Sequence, residues 1–124
     1  MVKIKFNENA KHAAFYNMLP EANHNEMIGF RRRLGEQAFA LLYLRDETSD
    51  PRIHRRFEVM RSLFAAERST APLFFREWSM CGATVLERVF SALAFGDWCA
   101  YSLALLHKTN PTPVDLVEEF KRRL

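Results

Sequence analysis

From Leu86 to Leu106 the chain is apolar on nearly every side of a helix, and at Asn110-Pro111-Thr112-Pro113 it can no longer continue one. A helix with no polar face must be covered by other elements all round, so this stretch predicts the buried centre of a domain. At 1.5 Å per residue it would be about 30 Å long, roughly the diameter of a small domain. Asp97, near its middle, argues against a membrane span, and inside a packed interior its carboxylate must be hydrogen-bonded or paired.

The rest of the chain has to supply the cover. Val2-Lys3-Ile4-Lys5-Phe6 alternates and predicts a short strand. Polar Asn23-His24-Asn25-Glu26 precedes Met27-Ile28-Gly29, with Asn25 placed to cap a helix. Ala38–Leu44 is a continuous apolar run closed by Arg45-Asp46, which fits a strand buried on both faces. Asp50-Pro51 opens a helix whose Ile53, Phe57, Met60 and Phe64 share one stripe. Leu73–Trp78 predicts a second strand, Gly82 a turn, Thr84 the cap of the long helix, and Val114–Leu124 a short amphipathic helix. Strand, helix, strand, helix implies an α/β domain with helices flanking a mostly parallel sheet. The 124 residues suffice for one such core.

Charge is unevenly placed. Residues 1–62 hold 11 Lys/Arg against 8 Asp/Glu, a surplus of 3, whereas residues 63–124 balance at 7 and 7. The surplus belongs to the segment with Arg31-Arg32-Arg33, Arg45, Arg52, Arg55, Arg56 and Arg61, and suits an anionic ligand such as a phosphate. Nucleic acid is a poor match, because no aromatic or glycine-rich binding signature accompanies the arginines. Cys81 and Cys99 are too few for a disulfide framework and too far apart for a paired metal motif. Met1-Val2-Lys3-Ile4-Lys5 is not a signal sequence, so a cytoplasmic protein without membrane contact is expected.

Few residues invite chemistry. Glu26 stands either as a carboxylate in a partly dry pocket, a setting for a general base, or in an exposed loop of capping side chains. His54 lies beside Arg55 and Arg56 on a polar helix face, where solvation is the usual state. His12 and His107 have no evident partner, and Lys121 reads as a surface lysine. There is no P-loop, dinucleotide fingerprint or zinc motif.

Three stretches do carry a resemblance. The first runs Asn7-Glu8-Asn9-Ala10-Lys11, Ala14-Phe15-Tyr16, Leu19-Pro20-Glu21 and Asn23-His24-Asn25-Glu26. The second is Leu44-Arg45-Asp46 with Pro51-Arg52 and Arg55-Arg56. The third is Gly96-Asp97-Trp98, Leu103-Ala104-Leu105-Leu106 and Pro111-Thr112-Pro113-Val114-Asp115, continuing through Glu118-Glu119-Phe120-Lys121. In this order they resemble the carboxy-terminal part of the bacterial and archaeal phosphoglucose/phosphomannose isomerases, of the sugar-isomerase (SIS) domain superfamily.

The resemblance implies a partial three-layer sugar-isomerase domain over residues 1–124, a single domain whose upstream part, with the Ser/Thr-rich phosphate loops, lies before Met1. It also implies aldose–ketose isomerisation of glucose or mannose 6-phosphate to fructose 6-phosphate through a cis-enediol, in a homodimer, without metal or organic cofactor. By position Glu26 matches the family's base, and Lys121 and Thr112 match groups near the sugar. Many family members carry a ring-opening histidine just before the proline that opens the Arg-rich helix. Here that position is Asp50, which leaves His54, one helical turn later, or His24, beside the base, to replace it. The alternative to an enzyme is a non-catalytic module that binds sugar phosphate or dimerises.

Overall fold

The computed structural model describes residues 1–31, 39–66 and 73–124. They form a mixed α/β structure in which a small parallel sheet is flanked by helices. The chain divides into two compact units: a helical unit of Met1–Tyr16 with Gly82–Leu124, and a sheet unit of Asn17–Cys81.

In the sheet unit, helix α2 (Ala22–Asn25) and a 3-10 turn (Met27–Arg31) lead to strand β1 (Phe39–Arg45), helix α3 (Pro51–Ala66) and strand β2 (Leu73–Ser79). The strands pair in parallel, from Phe39 opposite Leu73 to Arg45 opposite Ser79. Parallel neighbours need a crossover, and α3 is that crossover. Its stripe of Phe57, Met60 and Phe64 is buried, packed by Leu41, Tyr43 and Phe75 of the strands and by Leu19, Met27 and Phe30. Phe57 stacks on Tyr43 at 4.0 Å between ring centroids, and Phe64 on Phe75 at 5.8 Å. β1 is half-buried rather than covered on both faces, with Ala40 exposed, because α3 covers the face of Leu41 and Tyr43. Ala38, expected to begin this strand, and Arg32 and Arg33 of the basic cluster lie outside the described residues.

Helix α3 starts at Pro51, and the Asp50 carboxylate accepts from the Arg52 amide at 2.8 Å, as an N-cap should. Asn25 is not a cap: it is the last residue of α2, whose N-cap is Glu21, and its side-chain amide donates to the Glu21 carboxylate.

The helical unit contains α1 (Val2–Glu8), α4 (Val85–Leu106) and α5 (Asp115–Arg122). Val2–Phe6 is therefore helix, not strand. Its alternation is short enough to fit either period, and packing decides: Val2, Lys5, Phe6 and Asn9 form the half-buried side of a helix set against α4. The matching stripe on α4 is Arg88, Ala92, Gly96, Ala100 and Ala104, small at every position but the first. A Cβ on Gly96 would sit 2.9 Å from a Val2 methyl carbon, so the close approach requires glycine. Lys5 pairs with Asp97 at 2.8 Å, which gives Asp97 its partner, although the carboxylate is half-exposed rather than interior.

Helix α4 departs from the expectation that it is buried all round. Leu86, Phe90, Trp98, Tyr101 and Leu105 are exposed, Trp98 by 70%. The seven-residue α1 covers one stripe of a 22-residue helix, and the outer face stays in water. By length and composition alone α4 would also suffice to cross a bilayer.

Both ends of α4 are built by local chemistry. Gly82 (φ 137°) makes the turn before it, and the Thr84 hydroxyl accepts from the Glu87 amide at 3.2 Å. The Glu87 carboxylate accepts in return from the amides of Thr84 and Ala83, bonds that hold it below the usual carboxylate range. At the other end the Thr109 amide donates to Ala104 at 2.8 Å and Lys108 to Leu105 at 3.0 Å, a Schellman closure. The residue with left-handed backbone there is Lys108 (φ 54°), not glycine. The helix thus ends four residues before Asn110, ahead of the prolines.

Two outcomes follow for urea unfolding. Thr84→Ala should cost about 1 kcal/mol by deleting the cap, whereas Lys108→Gly should gain roughly 0.5–1 kcal/mol by relieving the left-handed backbone.

Candidate functional site

The polar stretch after Pro20 is wound into α2 and the following 3-10 turn, both too short to stand without neighbours. They lean on α3 through Met27 and Phe30, which pack against Phe57, Met60 and Phe64. Between them lies a shallow pocket of about 200 Å³ lined by Asn23, Met27, Arg55, Arg56, Val59, Met60 and Leu63. Its floor is apolar, and its polar groups are the Asn23 amide and two guanidinium groups. The Asn23 side-chain oxygen is buried without a hydrogen-bond partner among the described residues. Arginine forks beside an apolar floor are the equipment for holding an oxyanion attached to a carbon skeleton.

Glu26 is the C-cap of α2 and is exposed, so the partly dry pocket is not its setting. Its carboxylate is nevertheless held: Asn17 donates its side-chain amide to Oε1 at 2.6 Å. His24, on α2, is exposed. His54 is not merely solvated, because it sits half-buried on α3 against β1. The Tyr43 hydroxyl and His54 Nδ1 are 3.3 Å apart, and the rings meet edge to face at 6.5 Å. His54 Nε2 is buried with no hydrogen-bond partner among the described residues. Burial pushes the Tyr43 hydroxyl above its ordinary range, so the phenol keeps its proton at neutral pH. Tyr43 thus orients the imidazole through Nδ1.

Asp50 is held by Arg52, two residues along. The Arg52 guanidinium donates to it at 2.6 Å and the Arg52 amide at 2.8 Å, which lowers its carboxyl from 3.8 to about 2. It is an anion at neutral pH and has no proton to lend.

Thr112 and Lys121 belong to the helical unit, whereas Glu26, His24 and His54 belong to the sheet unit. Thr112 is exposed, and its amide donates to the Asn110 side chain at 3.0 Å. Lys121 is exposed on α5 and pairs with Glu118 at 2.8 Å, one turn back. Acidic Asp115 and Glu118 in the first turn and basic Lys121 and Arg122 in the last complement the helix dipole. Among the described residues no three His, Cys, Asp or Glu side chains converge as metal ligands.

Asn17 and Tyr43 escape the sequence reading, and Asn23 enters it only as part of the polar stretch. Tyr43 alone left a trace: as the polar-tipped member of an apolar strand, it needs a partner for its hydroxyl when buried. Asn17 touches Glu26 across nine positions, a spacing no periodicity marks.

Compared with known proteins, residues 2–124 match the family described as the bacterial phospho-glucose isomerase C-terminal SIS domain. The chain is 30% identical over 122 residues to a bifunctional phosphoglucose/phosphomannose isomerase of Thermoplasma acidophilum, covering 98% of this chain and 36% of that protein. It is 28% identical over 122 residues to the protein of the same name from Aquifex aeolicus, covering 98% and 37%. The Caldicellulosiruptor bescii protein is 30% identical over 120 residues, covering 94% and 34%. The chain thus spans about a third of the length of the curated relatives it matches. No solved structure matches.

The Asp50 cap sets a pH dependence. Its carboxyl is lowered in the folded state, so its contribution is present above pH 3.8 and fades as the pH falls towards about 2. Wild type should therefore be more stable than Asp50→Asn at pH 6 by thermal melting, with the difference shrinking between pH 4 and pH 2.

Proposed function

Because the chain belongs to the family of bacterial phospho-glucose isomerase C-terminal SIS domains, we propose that it supplies the base-bearing part of an aldose–ketose isomerase for hexose 6-phosphates. The observation that carries this reading is the Glu26 carboxylate fixed by Asn17 at 2.6 Å, next in sequence to a pocket lined by Asn23, Arg55 and Arg56. In the proposed step Glu26 removes the C2 proton of the open-chain aldose as the C1 carbonyl oxygen takes up a proton, giving the cis-enediol. Return of the proton from Glu26 to C1, with loss of the O2 proton, yields fructose 6-phosphate. A carboxylate suits both directions of this transfer.

Ring opening needs a second proton-transfer group. His54, with Nδ1 at Tyr43 and Nε2 without a partner among the described residues, is better prepared for it than the exposed His24. On the family resemblance that histidine serves the neighbouring subunit of a homodimer, and Thr112 and Lys121 are assigned to the sugar. The chemistry calls for no metal or organic cofactor. The proposed setting is the cytoplasm, apart from membranes and nucleic acid; the Lys5–Asp97 pair midway along α4 favours an aqueous surround.

A second reading, a dimerisation or sugar-phosphate-binding module without catalysis, draws on the outer face of α4. Leu86, Phe90, Trp98, Tyr101 and Leu105 form an exposed stripe of the kind that marks an interface.

The two readings part on Glu26→Gln in the full-length protein. For an enzyme, kcat for glucose 6-phosphate isomerisation should fall by roughly 10²–10⁴-fold, and exchange of the C2 proton with deuterium oxide should stop, while fructose 6-phosphate still binds. Unimpaired turnover would remove Glu26 from the role of base. Arg56→Ala should raise KM severalfold with kcat little changed, and an unchanged KM would remove the α2–α3 pocket from substrate binding.

A further inference from the structure

Among the described residues, two besides Gly82 have positive φ, Lys11 (φ 51°) and Lys108 (φ 54°), and each adjoins one of two touching histidines. The rings of His12 and His107 lie 5.5 Å apart, tilted by 47°. Lys108 is left-handed because it closes α4. Lys11 does the same for α1: it reverses the chain so that the His12 amide reaches the Phe6 carbonyl at 3.1 Å. Ala10, just before it, is 1% exposed, and Asn7 braces the far side of the turn by bonding Ala14 through both ends of its amide. Lys11 is therefore fixed from both sides in a conformation that costs a non-glycine residue on the order of 1–2 kcal/mol.

This places the Lys11 ammonium between two helix ends. It donates to the Glu8 carbonyl of α1 and, at 3.4 Å, to the carbonyl of Pro111. The loop that receives it is poor in donors. Of Asn110-Pro111-Thr112-Pro113, the two prolines have no N–H, and the Thr112 amide is already given to the Asn110 side chain. Beside that one internal bond, the Pro111 carbonyl takes its donor from outside the loop, and Lys11 supplies it.

The geometry points to Lys11 as a positioning residue that anchors the Asn110–Pro113 loop and so sets the place of Thr112. It does not touch the sugar. Its consequence for catalysis rests on the assignment of Thr112 to the substrate, whereas the anchoring itself does not.

Lys11→Gly separates the two roles of this residue, because it removes the ammonium and relieves the left-handed backbone together. Lys11→Arg keeps a donor. In the full-length protein, Lys11→Gly should keep or raise the melting temperature, speed hydrogen exchange of the Thr112 amide severalfold, and raise KM for fructose 6-phosphate severalfold with kcat less affected. Lys11→Arg should restore slow exchange and KM. Unchanged Thr112 exchange in Lys11→Gly overturns the anchor whatever the kinetics. Faster exchange with an unchanged KM, where Thr112→Ala does raise KM, overturns the role in substrate placement. If exchange accelerates and Thr112→Ala is itself without effect, the anchor stands and the assignment of Thr112 to the sugar falls.

Discussion

The helical unit depends on how closely α1 can approach α4. Gly96, in the buried row of Ala92, Gly96, Ala100 and Ala104, puts no side chain between the two backbones, and Val2 fills the space there. Small residues at four-residue spacing form one ridge of a helix, and a ridge of that kind gains by contact rather than by bulk. Everything else in the unit is arranged around that contact. Lys5 reaches Asp97 from it, Ala10 closes its end, and the turn that follows brings His12 to His107. A larger residue at Gly96 would push α1 outward and loosen each of these in turn.

Much of the sheet unit was legible because its signals are local. Asp50-Pro51 opens α3, the stripe of Phe57, Met60 and Phe64 is its buried side, and the two apolar runs are its parallel strands. The sequence misleads where a local pattern is short or where burial depends on partners elsewhere in the chain. Val2–Phe6 is too brief for period to decide, so its packing against Gly96 made it helical. An apolar α4 was expected to be covered all round, but coverage depends on partners, and a seven-residue neighbour cannot supply it. Asn25 carries the right chemistry for a cap and stands at the wrong end of its helix.

The candidate site was legible in its residues and not in their surroundings. Glu26 was named from the Asn-His-Asn-Glu stretch, but its hold on Asn17 and its exposure are facts of the fold. His54 gains its interest from Tyr43, which faces it across the strand–helix layer. Asp50 pairs with Arg52 two positions along, which makes it a cap and a fixed charge. In each case the neighbour decides what the group can do.

The open outer face of α4 has a thermodynamic consequence. Unfolding raises heat capacity in proportion to the apolar surface it newly exposes to water. Leu86, Phe90, Trp98, Tyr101 and Leu105 are already in water, as are Leu116 and Phe120 of α5, so unfolding adds little at these positions. The stability curve of the solitary chain is correspondingly flat for its length. Any surface that covers this face sharpens the curve, and association becomes visible as a change in curvature as well as in midpoint.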